Sequence, residues 1–267
     1  MRFRALGTYS ALAYLNQFAN VLVNVIFIRS LSLHTLGEIA IAKVWMQAMD
    51  YSHLGLRFSL DRYVPVWDRR QSVHLLLICI AVSSLVSAAI ISVALVFTDN
   101  KMLILIFCIW GYGVAIATIL KNYYRASADL KLMLRTYLVC PTIPVLAQAT
   151  ALHFGGFNSF LVITAFASIT TTAYLLINLR TRAVDIWYHL YATLRSVRSA
   201  TTMLFINSLL IFLTFSVDRI ILNAYSSKDV VGEYSVILFA FAMLLIIPST
   251  LAEFIFPKIV RSTVEGG

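Results

Sequence analysis

Long apolar runs alternate with short polar breaks along nearly the whole chain. A helix crossing a bilayer needs about 20 consecutive, mostly apolar residues. By that measure the pattern predicts eight spans, over residues 7–29, 36–56, 73–97, 102–123, 134–154, 157–179, 203–224 and 232–256. The breaks after the first, third, fifth and seventh spans are short: "SLSLHTLGE", "TDNK", "HFGGFN" and "SSKDVVGE". The breaks after the other spans are longer and basic.

Inside several runs, polar side chains recur at helical spacing and so share one face. The first span carries Asn16, Asn20 and Asn24, with Gln17 alongside. The second carries Lys43, Gln47 and Asp50. The seventh carries Asn207, Thr214 and Asp218, followed by Arg219. Amides in spans serve as interhelical hydrogen bonds or line a cavity, and the asparagine stripe fits either role. Ionisable groups point to an interior or a wet cavity, because charge needs water or a partner. Asp218 can pair with Arg219 or face Lys43. Lys43, Asp218 and Arg219 fall in the outer half of their spans, with Arg29 above them.

A pocket lined by such cations suits a diphosphate, which arginine grips with a bidentate fork. The other reading is a cation or proton path in which Asp50 and Asp218 titrate. Arg57, Asp61 and Arg62 in "GLRFSLDRYVPVWDRR" lie at the inner mouth, either as headgroup contacts or as orientation charge.

Composition agrees with the spans. Of 267 residues, 60% are hydrophobic and 12% charged, against about half and about a quarter in soluble domains. So few charges cannot cover an aqueous surface, and the chain is expected to be an all-α polytopic membrane protein. The net charge of +9 does not point to nucleic acid, because the basic residues fall in blocks between apolar runs. Arg2, Arg4, Arg57, Arg62, Arg69, Arg70, Lys121, Arg125, Lys131, Arg135, Arg180, Arg182, Arg195, Arg198, Lys258 and Arg261 gather on one side. Arg29, Lys101 and Lys228 fall on the other. The positive-inside rule then puts the N-terminus and every long loop in the cytoplasm.

The first run continues to Ile28 and contains four amides, so it reads as an uncleaved helix rather than a signal with a short apolar region. Arg180–Ala200 has apolar positions Val184, Trp187, Leu190, Tyr191 and Leu194 at helical spacing. It reads as an amphipathic linker on the inner membrane face. Cys79, Cys108 and Cys140 lie in apolar runs and read as packing residues. Pro141, Pro144 and Pro248 should kink their helices.

"SLHTLGEIAIAKVW" and "SKDVVGEYSVILFA" share a serine followed by apolar-Gly-Glu: Ser32, Leu36, Gly37 and Glu38 against Ser227, Val231, Gly232 and Glu233. Both open the second helix of a pair, so the seventh span begins a second copy of the first. The glutamates are expected to complement the positive ends of helix dipoles. The expected organisation is a six-helix lobe over residues 1–180, a cytoplasmic linker over 181–200, and the first two helices of an incomplete second lobe over 201–267. No metal-ligand spacing, phosphate loop or catalytic set accompanies these features, which argues against an enzyme, a metal or a cofactor.

"SVDRIILNAYSSKDVVGEYSVILFAFAMLLIIPSTLAEFIFPKI" resembles the seventh-to-eighth helix region of bacterial polysaccharide flippases of the multidrug/oligosaccharidyl-lipid/polysaccharide exporter superfamily. "RSLSLHTLGEIAIAKVW" and "LGLRFSLDRYVP" resemble their N-terminal stretches. The resemblance implies two six-helix lobes in the bacterial inner membrane, here truncated after eight helices. It implies alternating-access movement of undecaprenyl-diphosphate-linked repeat units to the outer leaflet for surface polysaccharide such as O-antigen. Arg29, Lys43, Arg219, Arg57 and Arg62 would meet diphosphate or acidic sugar, and Asp50 or Asp218 would couple to an ion. Asn16, Asn20, Asn24, Gln47 and Asn207 would line the cavity. The implied partners are the lipid-linked oligosaccharide, membrane lipid, a glycan polymerase and other assembly proteins. A multidrug or cation antiporter of the same superfamily and an inactive fragment are the alternatives.

Overall fold

The computed structural model describes residues 2–177 and 186–241. Among these the chain is helical, without a strand. The helices are α1 (Arg2–Ser30), α2 (Leu33–Met49), α3 (Leu56–Tyr63), α4 (Arg69–Phe97), α5 (Lys101–Ala126), α6 (Leu130–Tyr137), α7 (Ile143–Ile177), α8 (Ile186–Tyr225) and α9 (228–241). The polar breaks act as caps. The side chains of Ser32, Asp68, Asn100 and Asp129 each accept the backbone N–H three residues on. This satisfies donors that a helix start leaves without an intrahelical partner.

Four helical stretches are long and apolar enough to cross a bilayer: Arg69–Phe97, Lys101–Ala126, Lys131–Ile177 and Thr201–Tyr225. With the composition, they make this a membrane-embedded protein. Within α1, Phe18–Ser30 is a shorter apolar stretch.

The third stretch folds back on itself. The Arg135 guanidinium lies 5.2 Å from the Tyr174 ring centre, whereas a straight helix would part them by about 60 Å. The reversal is at Gly156, with φ 72° and ψ −168°, a backbone region that only glycine enters freely. "HFGGFN" is therefore a turn between two antiparallel arms. The kink expected at Pro141 is also present. A π-helical turn over Leu138–Thr142 leaves Cys140 with non-helical dihedrals. Pro141 has no N–H for the Tyr137 carbonyl, and the Thr142 hydroxyl donates to it instead at 3.2 Å.

Helix α5 is the axis of the bundle. Its buried Leu103, Ile104 and Phe107 join one core with Val23, Phe27, Leu36, Ile39 and Phe160. Its Ile116, Ile119 and Leu120 join a second core with Leu60, Leu75, Leu76, Cys140 and Val197. The three cysteines are free and buried, as packing residues would be.

Helix α8 enters the second core at Val197, but most of its apolar residues from Met203 onward are exposed. The block expected as a separate linker is described from Ile186 onward and runs without interruption into the seventh predicted span. Pro248, the remainder of the eighth predicted span and residues 178–185 lie outside the described residues.

The turns at 31–32, 98–100 and 226–227 gather at one end of the bundle, where Asn100 donates to Glu38 at 3.2 Å. At the other end, α3 meets α5 through the Asp61–Arg125 salt bridge at 2.7 Å and meets α8 at Thr201.

Candidate functional site: a cleft between two matched helical hairpins

Helix α1 ends at Ser30 and α2 starts at Leu33; α8 ends at Tyr225 and α9 starts at 228. The second hairpin reproduces the first 195 residues later. Its bonds repeat too. Ser32 Oγ accepts the Thr35 N–H at 3.3 Å, and Ser227 Oγ accepts the Val230 N–H at 3.5 Å. The Leu36 N–H donates to the Ser32 carbonyl at 2.9 Å, and the Val231 N–H to the Ser227 carbonyl at 3.3 Å.

The hairpins also touch reciprocally. A Cβ on Gly37 would collide with the Lys228 carbonyl, and one on Gly232 with the Leu33 carbonyl. Those two carbonyls are equivalent positions of the repeat, so the contact has the self-complementary form of a two-fold interface.

The expected role of Glu38 changes. Ser32 is the N-cap and no acid lies in the first turn of α2. Glu38 is too far along to complement the dipole, which acts within about one turn, and it accepts from Asn100 instead.

The four helices of the two hairpins enclose a cleft of about 390 Å³. Asn24 and Phe27 come from α1, Lys43 and Gln47 from α2, Phe215, Asp218 and Arg219 from α8, and Phe239 and Phe241 from α9. The Lys43 ammonium donates to Asn24 Oδ1 at 2.6 Å and sits 5.4 Å from the Phe27 ring centre. The Arg219 guanidinium donates to the Phe215 carbonyl at 2.6 Å and reaches Gln47 Oε1 at 3.5 Å. Its Nε is buried without a partner.

The side chains of Asp218 and Arg219 form no salt bridge. The Asp218 carboxylate accepts its neighbour's backbone N–H at 2.7 Å and the Tyr234 hydroxyl. The cleft therefore presents two cations with unspent N–H donors, one carboxylate already held by a phenol, and aromatic walls. Such a surface suits an anionic group carried on an apolar body.

The other sequence candidates divide. Asp50 and Arg57 form a salt bridge at 2.6 Å at the foot of α2, outside the cleft lining. Arg62 lies 5.7 Å from the Tyr63 ring centre on the exposed face of α3. Arg29 is exposed in the last turn of α1, and Asn207 is exposed on α8; neither lines the cleft.

Asn20 and Asn24 donate back to the Asn16 and Asn20 carbonyls, each at 2.9 Å. The amide stripe is thus tied mainly to its own helix, and only Asn24 reaches the cleft. Tyr234 and the aromatic walls escaped the polar-stripe reading. Tyr234 directly follows Glu233 of the second repeat, and that placement was the available signal. Compared with protein families, curated proteins and solved structures, the chain finds no match.

Proposed function

We propose that the protein is a lipid-linked oligosaccharide transporter, moving undecaprenyl-diphosphate-linked repeat units from the inner to the outer leaflet by alternating access. The observation that carries this reading is the convergence of Lys43 and Arg219, from opposite hairpins, on one aromatic-walled cleft. A diphosphate would take the free donors of both cations, and the prenyl chain would lie along the phenylalanines. In this reading the eight predicted spans alternate across the bacterial inner membrane with the N-terminus in the cytoplasm. Residues 1–180 form one lobe, 181–200 the linker, and 201–267 the first helices of a second lobe. The repeated hairpins support it, since many transporters bind substrate between related repeats that rock against each other.

Deletion of the gene tests the reading. Lipid-linked repeat units should accumulate on the inner leaflet and be cleared by the wild-type protein but not by Lys43→Gln with Arg219→Gln. Unchanged lipid pools on deletion would refute it. One observation favours a second reading, a cation or drug antiporter: the Asp218 carboxylate faces the same cleft, bonded to Tyr234. Raised drug sensitivity on deletion, with surface polysaccharide intact, would select that alternative.

A further inference from the structure

The turn between α2 and α3 holds a histidine that the cleft does not use. His53 is 1% exposed, and its ring stands edge-on to Phe58 with centres 5.6 Å apart. Its Nδ1 accepts the Gly55 N–H at 2.8 Å. A ring nitrogen accepts only when it carries no proton. His53 is therefore neutral in this conformation, with its proton on Nε2, where the N–H is buried without an acceptor. The turn it closes is tight, with Leu54 at φ 47° and Gly55 at φ 82°.

The charged and titratable groups around the ring are few. Asp50 and Arg57 flank it, joined at 2.6 Å, with Tyr51 beside them. From α4, Cys79 faces Arg57. From α8, Thr201 and Phe205 press on Gly55, and neither titrates.

This turn is also where α8 docks. A Cβ on Gly55 would collide with the Thr201 carbonyl, and the Ser59 and Thr201 hydroxyls are 2.5 Å apart. From Thr201, α8 runs unbroken to Asp218 and Arg219 in the cleft.

We propose that His53 is a proton-binding site that latches α3 to α8: the neutral ring closes the turn, and a proton on Nδ1 opens it. A protonated Nδ1 would face the Gly55 N–H donor to donor, and would set a second cation beside Arg57 to compete for Asp50. The closed turn binds one proton fewer than the open one, so acidification favours the open form. A hydrated imidazole titrates near neutrality, and the turn opens below that pH by an amount set by the stability of its closed form. Movement at Thr201 is carried along one helix to the cleft. This proposal rests on the turn alone and holds whatever the cleft binds.

Spin labels on Val66→Cys and Met203→Cys test it. Both positions are highly exposed, and the native cysteines are buried. Distances would be measured by double electron–electron resonance in nanodiscs between about pH 8 and about pH 5. The expected result is one distance at the upper end and a second, longer one that grows as pH falls. His53→Asn, whose side-chain oxygen can accept the Gly55 N–H but cannot titrate, should hold the closed distance throughout. If that variant fails to fold by its elution profile, His53→Gln takes its place. A parent protein with one distance at every pH overturns the proposal, and so does an unchanged pH response in the variant.

Discussion

The Lys43 ammonium is held 2.6 Å from the Asn24 side-chain oxygen, across the first hairpin. The contact fixes the cation at the cleft wall while using one of its three donors. Lys43→Gln should weaken anion binding by about 10- to 100-fold, the equivalent of about 1.5–3 kcal/mol for a hydrogen bond to a charged group. Titration calorimetry with inorganic pyrophosphate on the purified protein would measure it. Equal affinity in the variant and the parent would remove Lys43 from the site.

Gly37 and Gly232 meet equivalent carbonyls, so their substitutions should behave alike. Gly37→Ala and Gly232→Ala should each cost about 1–3 kcal/mol by overpacking. The double variant should cost less than the two together, because both act on one contact. Thermal unfolding in detergent would show it. A strong effect of one and none of the other would contradict the reciprocal geometry.

Asp50 and Arg57 are each other's partners, with Arg57 mostly enclosed. Asp50→Asn leaves that guanidinium unpaired and should cost about 3–5 kcal/mol, whereas the double change Asp50→Asn with Arg57→Gln should recover much of it. Yield and melting temperature of the folded protein are the readouts. A stable Asp50→Asn variant with lost transport would instead support Asp50 as an ion-coupling group.

Gly156 separates backbone strain from crowding. A Cβ there would meet nothing within 4 Å, yet Gly156→Ala should cost about 1–3 kcal/mol, because its dihedrals are forbidden to alanine. At Gly155 the added atom would collide with the Ser159 Oγ and meet its Cβ at 2.6 Å. Rotation relieves only the first, so Gly155→Ala should also cost about 1–3 kcal/mol, there by crowding. Melting temperatures of the two variants check both costs.

What could be read from the chain were its local devices. Ser32 and Asn100 stand where short polar breaks call for caps, and they cap. Leu36-Gly37-Glu38 and Val231-Gly232-Glu233 marked a repeat that the structure shows in both bonds and contacts. Of the stripe Lys43, Gln47 and Asp50, the first two line the cleft and Asp50 does not. Features that depend on the path of the chain between helices were not legible. Asp50 meets Arg57 because the chain turns back through Leu54 and Gly55, which no periodicity announces. The exposed Arg29 and Asn207 satisfy the same polarity rules as the cleft residues, so residue type alone could not part them. The polar block at Arg195–Arg198 continues α8 because helical backbone bonds do not require apolar side chains.

The repeat is least faithful where the cleft has its chemistry. In the register that pairs Gly37 with Gly232, Asn24 corresponds to Arg219 and Lys43 to Leu238, and all four line the cleft. A site assembled from two identical hairpins would carry every group twice and present the same face to a ligand arriving in either of two poses. Here each cation has an uncharged counterpart. An anion bound there would therefore be held in one pose, and the pose related to it by the two-fold rotation is disfavoured by the protein's own divergence from symmetry.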